Sequence, residues 1–179
     1  MTQPPEEENK YPQKLGTKMV VLAWVVFLGL LTLLFGGFLD RQFNPNREVS
    51  SRKSSGDVEI VLEQNQRGHY VASALINHVG VDVMLDTGAS SVSIPEHLAA
   101  GMQLQYGPEM MVATANGDIP VYATRLKEVR LGDIVLHDVR ADINPYMEDD
   151  YVLLGMSFLR QLEFTQRGKQ LILRQYQQH

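Results

Sequence analysis

Cysteine is absent from this 179-residue chain, which removes disulfide frameworks, thiolate metal sites and cysteine nucleophiles together. Basic charge is also short. Lys and Arg number 16 against 21 Asp and Glu, a formal charge of -5, so no overall basic field exists for gripping nucleic acid. The five histidines, His69, His78, His97, His137 and His179, never fall at metal-ligand spacing, and none lies beside a nucleophilic serine motif. The expectation is therefore a protein without metal, cofactor or nucleic-acid partner. The missing thiols leave the redox compartment open, because a chain without cysteine suits either one.

What is present begins with a long apolar run. Met19 to Leu39 carries no charge over 21 residues, and at about 1.5 Å per residue it spans a bilayer core of roughly 30 Å. A cleaved signal peptide is the competing reading, but its apolar stretch is usually about 7–15 residues and ends at an Ala-x-Ala-like site. Neither feature is present, so residues 19–39 are expected to form an uncleaved, single-pass transmembrane helix behind a polar segment, residues 1–18. The flanks do not orient it: Lys10, Lys14 and Lys18 precede it, and Arg41, Arg47, Arg52 and Lys53 follow. Residues 40–56, with Asn44-Pro45-Asn46 and two serine pairs, lack apolar periodicity and read as a flexible linker.

Residues 57–179 hold 9 basic and 16 acidic side chains, net -7, a balance suited to solubility rather than to an anionic surface. Short alternating or apolar runs recur there: 58–62, 70–76, 81–85, 91–94, 110–115, 119–122, 126–131, 134–139, 152–154 and 171–173. This pattern predicts an all-β domain, a single-core sandwich or barrel. Gly132-Asp133 between two runs is the two-residue loop of a type II′ hairpin, and Asn116-Gly117 marks a second hairpin tip. One short helix is expected after Ser93-Ile94-Pro95-Glu96, which has capping-box spacing, and another from Met156 to about Gln161. Met110 and Met111 read as core or groove lining.

The run Val81 to Leu85 delivers an acidic residue onto a glycine-bearing turn, Asp86-Thr87-Gly88-Ala89-Ser90. Alone, such a tripeptide is also an ordinary polar turn. Its context is more specific. A later hairpin, Ala113-Thr114-Ala115-Asn116-Gly117, has the position of a flap, and Leu153-Leu154-Gly155 opens a short helix. These three ordered motifs resemble the retropepsin-like aspartic proteases, and the Leu153 to Leu159 block resembles the bacterial membrane-anchored branch of that clan. The resemblance covers about residues 57–175.

The resemblance implies a retropepsin-like closed β barrel or sandwich over residues 57–179, working as an aspartic endopeptidase on peptide or protein substrates. Hydrolysis without a metal or covalent nucleophile needs one group to deprotonate water and another to protonate the scissile carbonyl; two facing carboxylates sharing one proton do both. The chain has one Asp-Ser/Thr-Gly triplet, so the second carboxylate is expected from a second copy, in a two-fold homodimer. The family roles carried over make Asp86 the acid/base carboxylate, Thr87 a hydrogen-bond partner across the dimer, and Gly88 the point of close backbone approach. Ala89, Leu153, Leu154 and Gly155 support the loop, and residues 113–117 close over the peptide. Ala89 stands where the pepsin-like branch has a hydroxyl residue, which implies activity reaching milder acidity than pepsin's. The resemblance also implies an inner-membrane location with the protease domain in the periplasm. Two rivals remain. One is a catalytically silent, membrane-tethered peptide-binding module of the same fold. The other treats Asp86 to Ser90 as the phosphate loop of an actin-type ATPase, whose two α/β lobes and long helices this chain lacks.

Overall fold

The computed structural model describes residues 13–54, 56–114 and 117–176. The chain divides into two compact units, Met1–Asp40 and Arg41–His179. Helix α1 (Gln13–Phe43) contains the stretch Gly16–Phe43, long and apolar enough to cross a membrane. It extends past the expected 19–39 because Leu15 and Lys18 on one side and Arg41 and Gln42 on the other are helix-compatible. Asn44-Pro45 stops it, since proline disfavours helical geometry in the residue before it.

The second unit is built from two sheets. Strands β1 (Ser51–Ser54), β2 (Asp57–Glu63), β11 (Gln170–Gln175) and β10 (Glu163–Arg167) form the smaller one, in the order β1-β2-β11-β10. The larger sheet runs β3 (Tyr70–Ile76), β4 (Val79–Leu85), β9 (Tyr151–Leu154), β5 (Val92–Pro95), β8 (Ile134–Asn144), β7 (Gly117–Leu131), β6 (Glu109–Thr114). An additional pairing of β3 with β7 bends this sheet toward closure, which gives the barrel-like all-β architecture expected from the alternation. Two very short helices, α2 (Glu96–Ala99) and α3 (Met156–Leu159), complete the unit.

The β7–β8 turn has the predicted chemistry. Leu131 pairs with Ile134, Gly132 sits at φ +58°, and Asp133 does not share the positive φ, as a type II′ turn requires. The runs expected at 119–122 and 126–131 are one continuous strand, because Ala123, Thr124 and Arg125 pair with Asp142, Ala141 and Arg140. Inward positions of both sheets form one core with Phe158 of α3, in which Ile60, Leu62, Ile76, Val83, Ile94, Leu126, Leu131, Leu154 and Phe158 are fully buried. Met110 and Met111 differ from expectation: both are exposed on β6. The capping box also fails to form, since Pro95 is the N-cap of α2 without a side-chain hydrogen bond, and Ser93 belongs to β5 with its hydroxyl used elsewhere.

Much of the stretch expected as a flexible linker is instead integral to the domain. Asn44 and Asn46 are buried. The Asn46 amide donates to the carbonyls of Val71 (2.7 Å) and Glu63 (2.9 Å), and its Oδ1 accepts from the Glu63 N–H at 2.7 Å. Asn44 Nδ2 donates to Asp82 (2.7 Å) and Ser73 (3.0 Å), while Asn44 Oδ1 accepts from the Asn46 N–H. Farther on, β1 pairs along β2, and the Ser51 hydroxyl accepts from the Asp133 N–H in the β7–β8 turn. Backbone groups of β2 and β3 thus depend on a side chain from outside both strands, and losing it leaves buried donors and acceptors unsatisfied. Asn46→Ala is expected to destabilise the domain by about 2–4 kcal/mol, read as a lower midpoint in urea unfolding with little change in slope.

Candidate active site

Strand β4 is buried at Val83 and Leu85 and ends where Asp86 begins the turn. Parallel pairing sets Val83, Met84 and Leu85 beside Val152, Leu153 and Leu154 of β9, and the Asp86 N–H donates to the Leu154 carbonyl at 3.1 Å. The loop therefore leaves the sheet with its first residue still hydrogen-bonded to it. The turn closes by the Ala89 N–H donating to the Asp86 carbonyl at 3.3 Å. Within it the Gly88 N–H donates to Asp86 Oδ1 at 2.8 Å, which fixes the carboxylate rotamer. Asp86 Oδ2 accepts no hydrogen bond among the described residues, so one oxygen is held and one is available.

A second layer supports this loop. The N–H groups of Met156 and Ser157, at the start of α3, donate to the carbonyls of Ala89 (2.8 Å) and Ser90 (3.1 Å). The Ser157 hydroxyl accepts from the Val92 N–H (2.9 Å) and donates to the Arg140 carbonyl (2.7 Å). Such close backbone contact is possible only because residue 155 has no side chain: a Cβ there would lie 2.2 Å from the Ser91 carbonyl oxygen and 2.6 Å from that of Ala89. At φ -87° Gly155 is not in the left-handed region, so space and not torsion demands glycine.

In front of the loop lies a groove of ≈ 380 Å³, lined by Asp86, Gly88, Ala89, Leu153 and serines 90, 91 and 93 on one side. On another side stand Val112, Ala113, Thr114, Ile119 and Val121 of the β6–β7 hairpin. That hairpin pairs from Glu109↔Tyr122 to Thr114↔Gly117, and the Thr114 hydroxyl donates to the Gly117 carbonyl at 2.7 Å. Its placement is that of a roof. The tip residues Ala115 and Asn116 lie outside the described residues. Of the other residues singled out from the sequence, Leu154 is buried beneath the loop, Thr87 is exposed beside it, and Gly117 stands on the hairpin without lining the groove.

Sequence reasoning missed Asp142. This residue of β8 lines the same groove, is 1% exposed, and accepts hydrogen bonds from the Ser91 hydroxyl on Oδ1 and from the Ser93 hydroxyl (2.7 Å) on Oδ2. Parallel pairing of β5 with β8 brings them together, Ser93 opposite Asp142. Burial pushes its carboxyl above the usual carboxylate range, with the two serine hydroxyls pulling the other way. Nothing in the sequence marked it: along β8 Asp142 alternates with the buried Ala141 and Ile143 and shares its face with Arg140 and Asn144, where an acidic residue reads as solvent-facing.

Comparison with known proteins agrees with this geometry. Residues 72–161 match the family model described as "gag-polyprotein putative aspartyl protease". Among curated relatives, an uncharacterized protein in the cobV 5' region of a Sinorhizobium species is 31% identical over 144 residues, 78% of this chain. The uncharacterized protein RP867 of Rickettsia prowazekii is 27% identical over 137 residues, 72% of this chain. The chain spans 62% and 56% of the lengths of these two relatives. Among solved structures, a retropepsin-like aspartic protease from Rickettsia conorii superposes with a TM-score of 0.57 at 27% identity, covering 72% of this chain and 96% of that one. With the matched segment running from β3 through Asp86 and the roof to α3, the chain belongs to this aspartyl protease family and has a retropepsin-like fold.

Proposed function

We propose that this protein is a membrane-anchored aspartic endopeptidase, active as a homodimer in which the Asp86 carboxylates of two copies face each other. The observation that carries the reading is a single half-buried aspartate, one oxygen held by the Gly88 N–H at 2.8 Å, opening into a groove roofed by a hairpin. Two such carboxylates at contact cannot both ionise, so the pair holds one proton between them. The ionised member takes a proton from a water, whose oxygen bonds to the scissile carbonyl carbon, while the other member gives its proton to the carbonyl oxygen. A tetrahedral diol results. Proton transfer to the amide nitrogen then lets the C–N bond break, releasing an amine and a carboxylic acid. Val112, Ile119, Val121 and Leu153 suit an extended peptide with apolar side chains.

The apolar stretch of α1 would be the anchor, inserted once in the inner membrane with the domain on the periplasmic side, a topology that a reporter at the C-terminus tests. Confinement to one membrane plane raises the local concentration of partners and favours pairing. The dimer itself is tested by mixing. When full-length chain in detergent exchanges subunits with an equal amount of Asp86→Asn chain, peptide cleavage per total protein should fall to about one quarter, since only pairs with two aspartates act. A fall to one half would mean that single chains are active. No cleavage at any concentration or acidity would favour a silent peptide-binding module instead.

A further inference from the structure

The groove contains two carboxylates, Asp86 and Asp142, and among the described residues no Lys, Arg or His lines it. Asp142 is almost wholly buried, and no ion pair reaches it among the described residues. Both of its oxygens accept from serine hydroxyls, so the protons of Ser91 and Ser93 are committed to the carboxylate. What these two hydroxyls have left is lone pairs. Ser91 and Ser93 themselves line the groove, and so present it with acceptors backed by the buried Asp142 carboxyl group. A side chain offering N–H donors satisfies those acceptors. A cationic one also supplies the charge the carboxylate lacks, and a pair shielded from water is attracted more strongly than one on the surface. Acidic side chains meet repulsion there, and apolar ones leave the acceptors unpaired.

We propose that Ser91, Ser93 and Asp142 form a polar subsite that selects a substrate bearing a lysine or arginine side chain at one position, within a groove that otherwise takes apolar residues. This rests on the protease reading for its biological meaning, but binding alone can test it. The full-length Asp86→Asn chain in detergent is presented with a positional-scanning peptide library in which each position in turn carries lysine, arginine, norleucine or glutamate. At one position the lysine and arginine pools should bind at least about tenfold more tightly than norleucine, with glutamate weakest. Adding Asp142→Asn should collapse that ratio toward unity, and Ser93→Ala, a smaller perturbation, should lower it as well. A purely structural role for Asp142 would weaken all pools alike and leave the ratio standing. Pools that bind equally, that do not bind at all, or that keep their lysine preference without Asp142 overturn the subsite. Lysine-selective binding in a protein whose parent cleaves no peptide would uphold the subsite and refute the hydrolytic function.

Discussion

Asp86→Asn is expected to lower kcat/KM for peptide hydrolysis by about 10³-fold or more while leaving unfolding within about 0.5 kcal/mol of the parent. The substitution keeps shape, and the asparagine Oδ1 can accept the same Gly88 N–H that Asp86 Oδ1 accepts at 2.8 Å. The loop should hold its course, because its anchoring runs through the backbone of Leu154 and Ala89. On the proposed mechanism, what disappears is the proton that two Asp86 carboxylates would share, since an amide can neither take one from water nor give one to a carbonyl. The comparison is steady-state cleavage of one peptide by both chains, with thermal unfolding of each. Cleavage that persists undiminished in the variant would remove Asp86 from the chemistry.

The largest stability effect should come from a residue that touches no substrate. In Gly155→Ala the new methyl would sit 2.2 Å from one backbone oxygen and 2.6 Å from another, where no rotamer change can relieve it. Either the Asp86 loop or the start of α3 must move. Movement breaks the hydrogen bonds of Met156 and Ser157 to the carbonyls of Ala89 and Ser90, and with them the seat of the Asp86 carboxylate. A cost on the order of 4 kcal/mol or more follows from overpacking against backbone together with the lost bonds. Urea unfolding of the full chain measures it, and any folded remainder should have lost its peptide cleavage. A shift below about 1 kcal/mol would mean that the two segments are not held as tightly as this contact requires.

Strand by strand, the sequence was readable where one face is buried and the other wet. Tyr70–Ile76, apolar but for Ser73, reads as a run bounded by turn residues and forms β3 over the same residues. Strand β10, by contrast, is exposed at every position, so no period marks it, and β1 is four polar or charged residues held only by pairing with β2. The family was legible because the Asp86-Thr87-Gly88 turn and its context lie in contiguous residues within the matched segment 72–161. Asp142 was not, since the serines that give it meaning are 49 and 51 positions away and meet it only through the parallel pairing of β5 and β8. Asn44 and Asn46 were misread for a related reason: asparagine beside proline is the composition of a linker, and only tertiary partners distinguish a buried clasp from a free strand of chain.

That clasp decides where a soluble fragment can begin. Cutting before residue 57, the boundary that composition suggests, would discard Asn44, Asn46 and the whole of β1, exposing the β2 edge and stranding the Glu63 N–H and the Val71 carbonyl. A cut at Arg41, the start of the compact unit, retains all of these partners. The few residues between those two incisions separate a preparation that keeps its native hydrogen bonding from one that aggregates along an unprotected sheet margin.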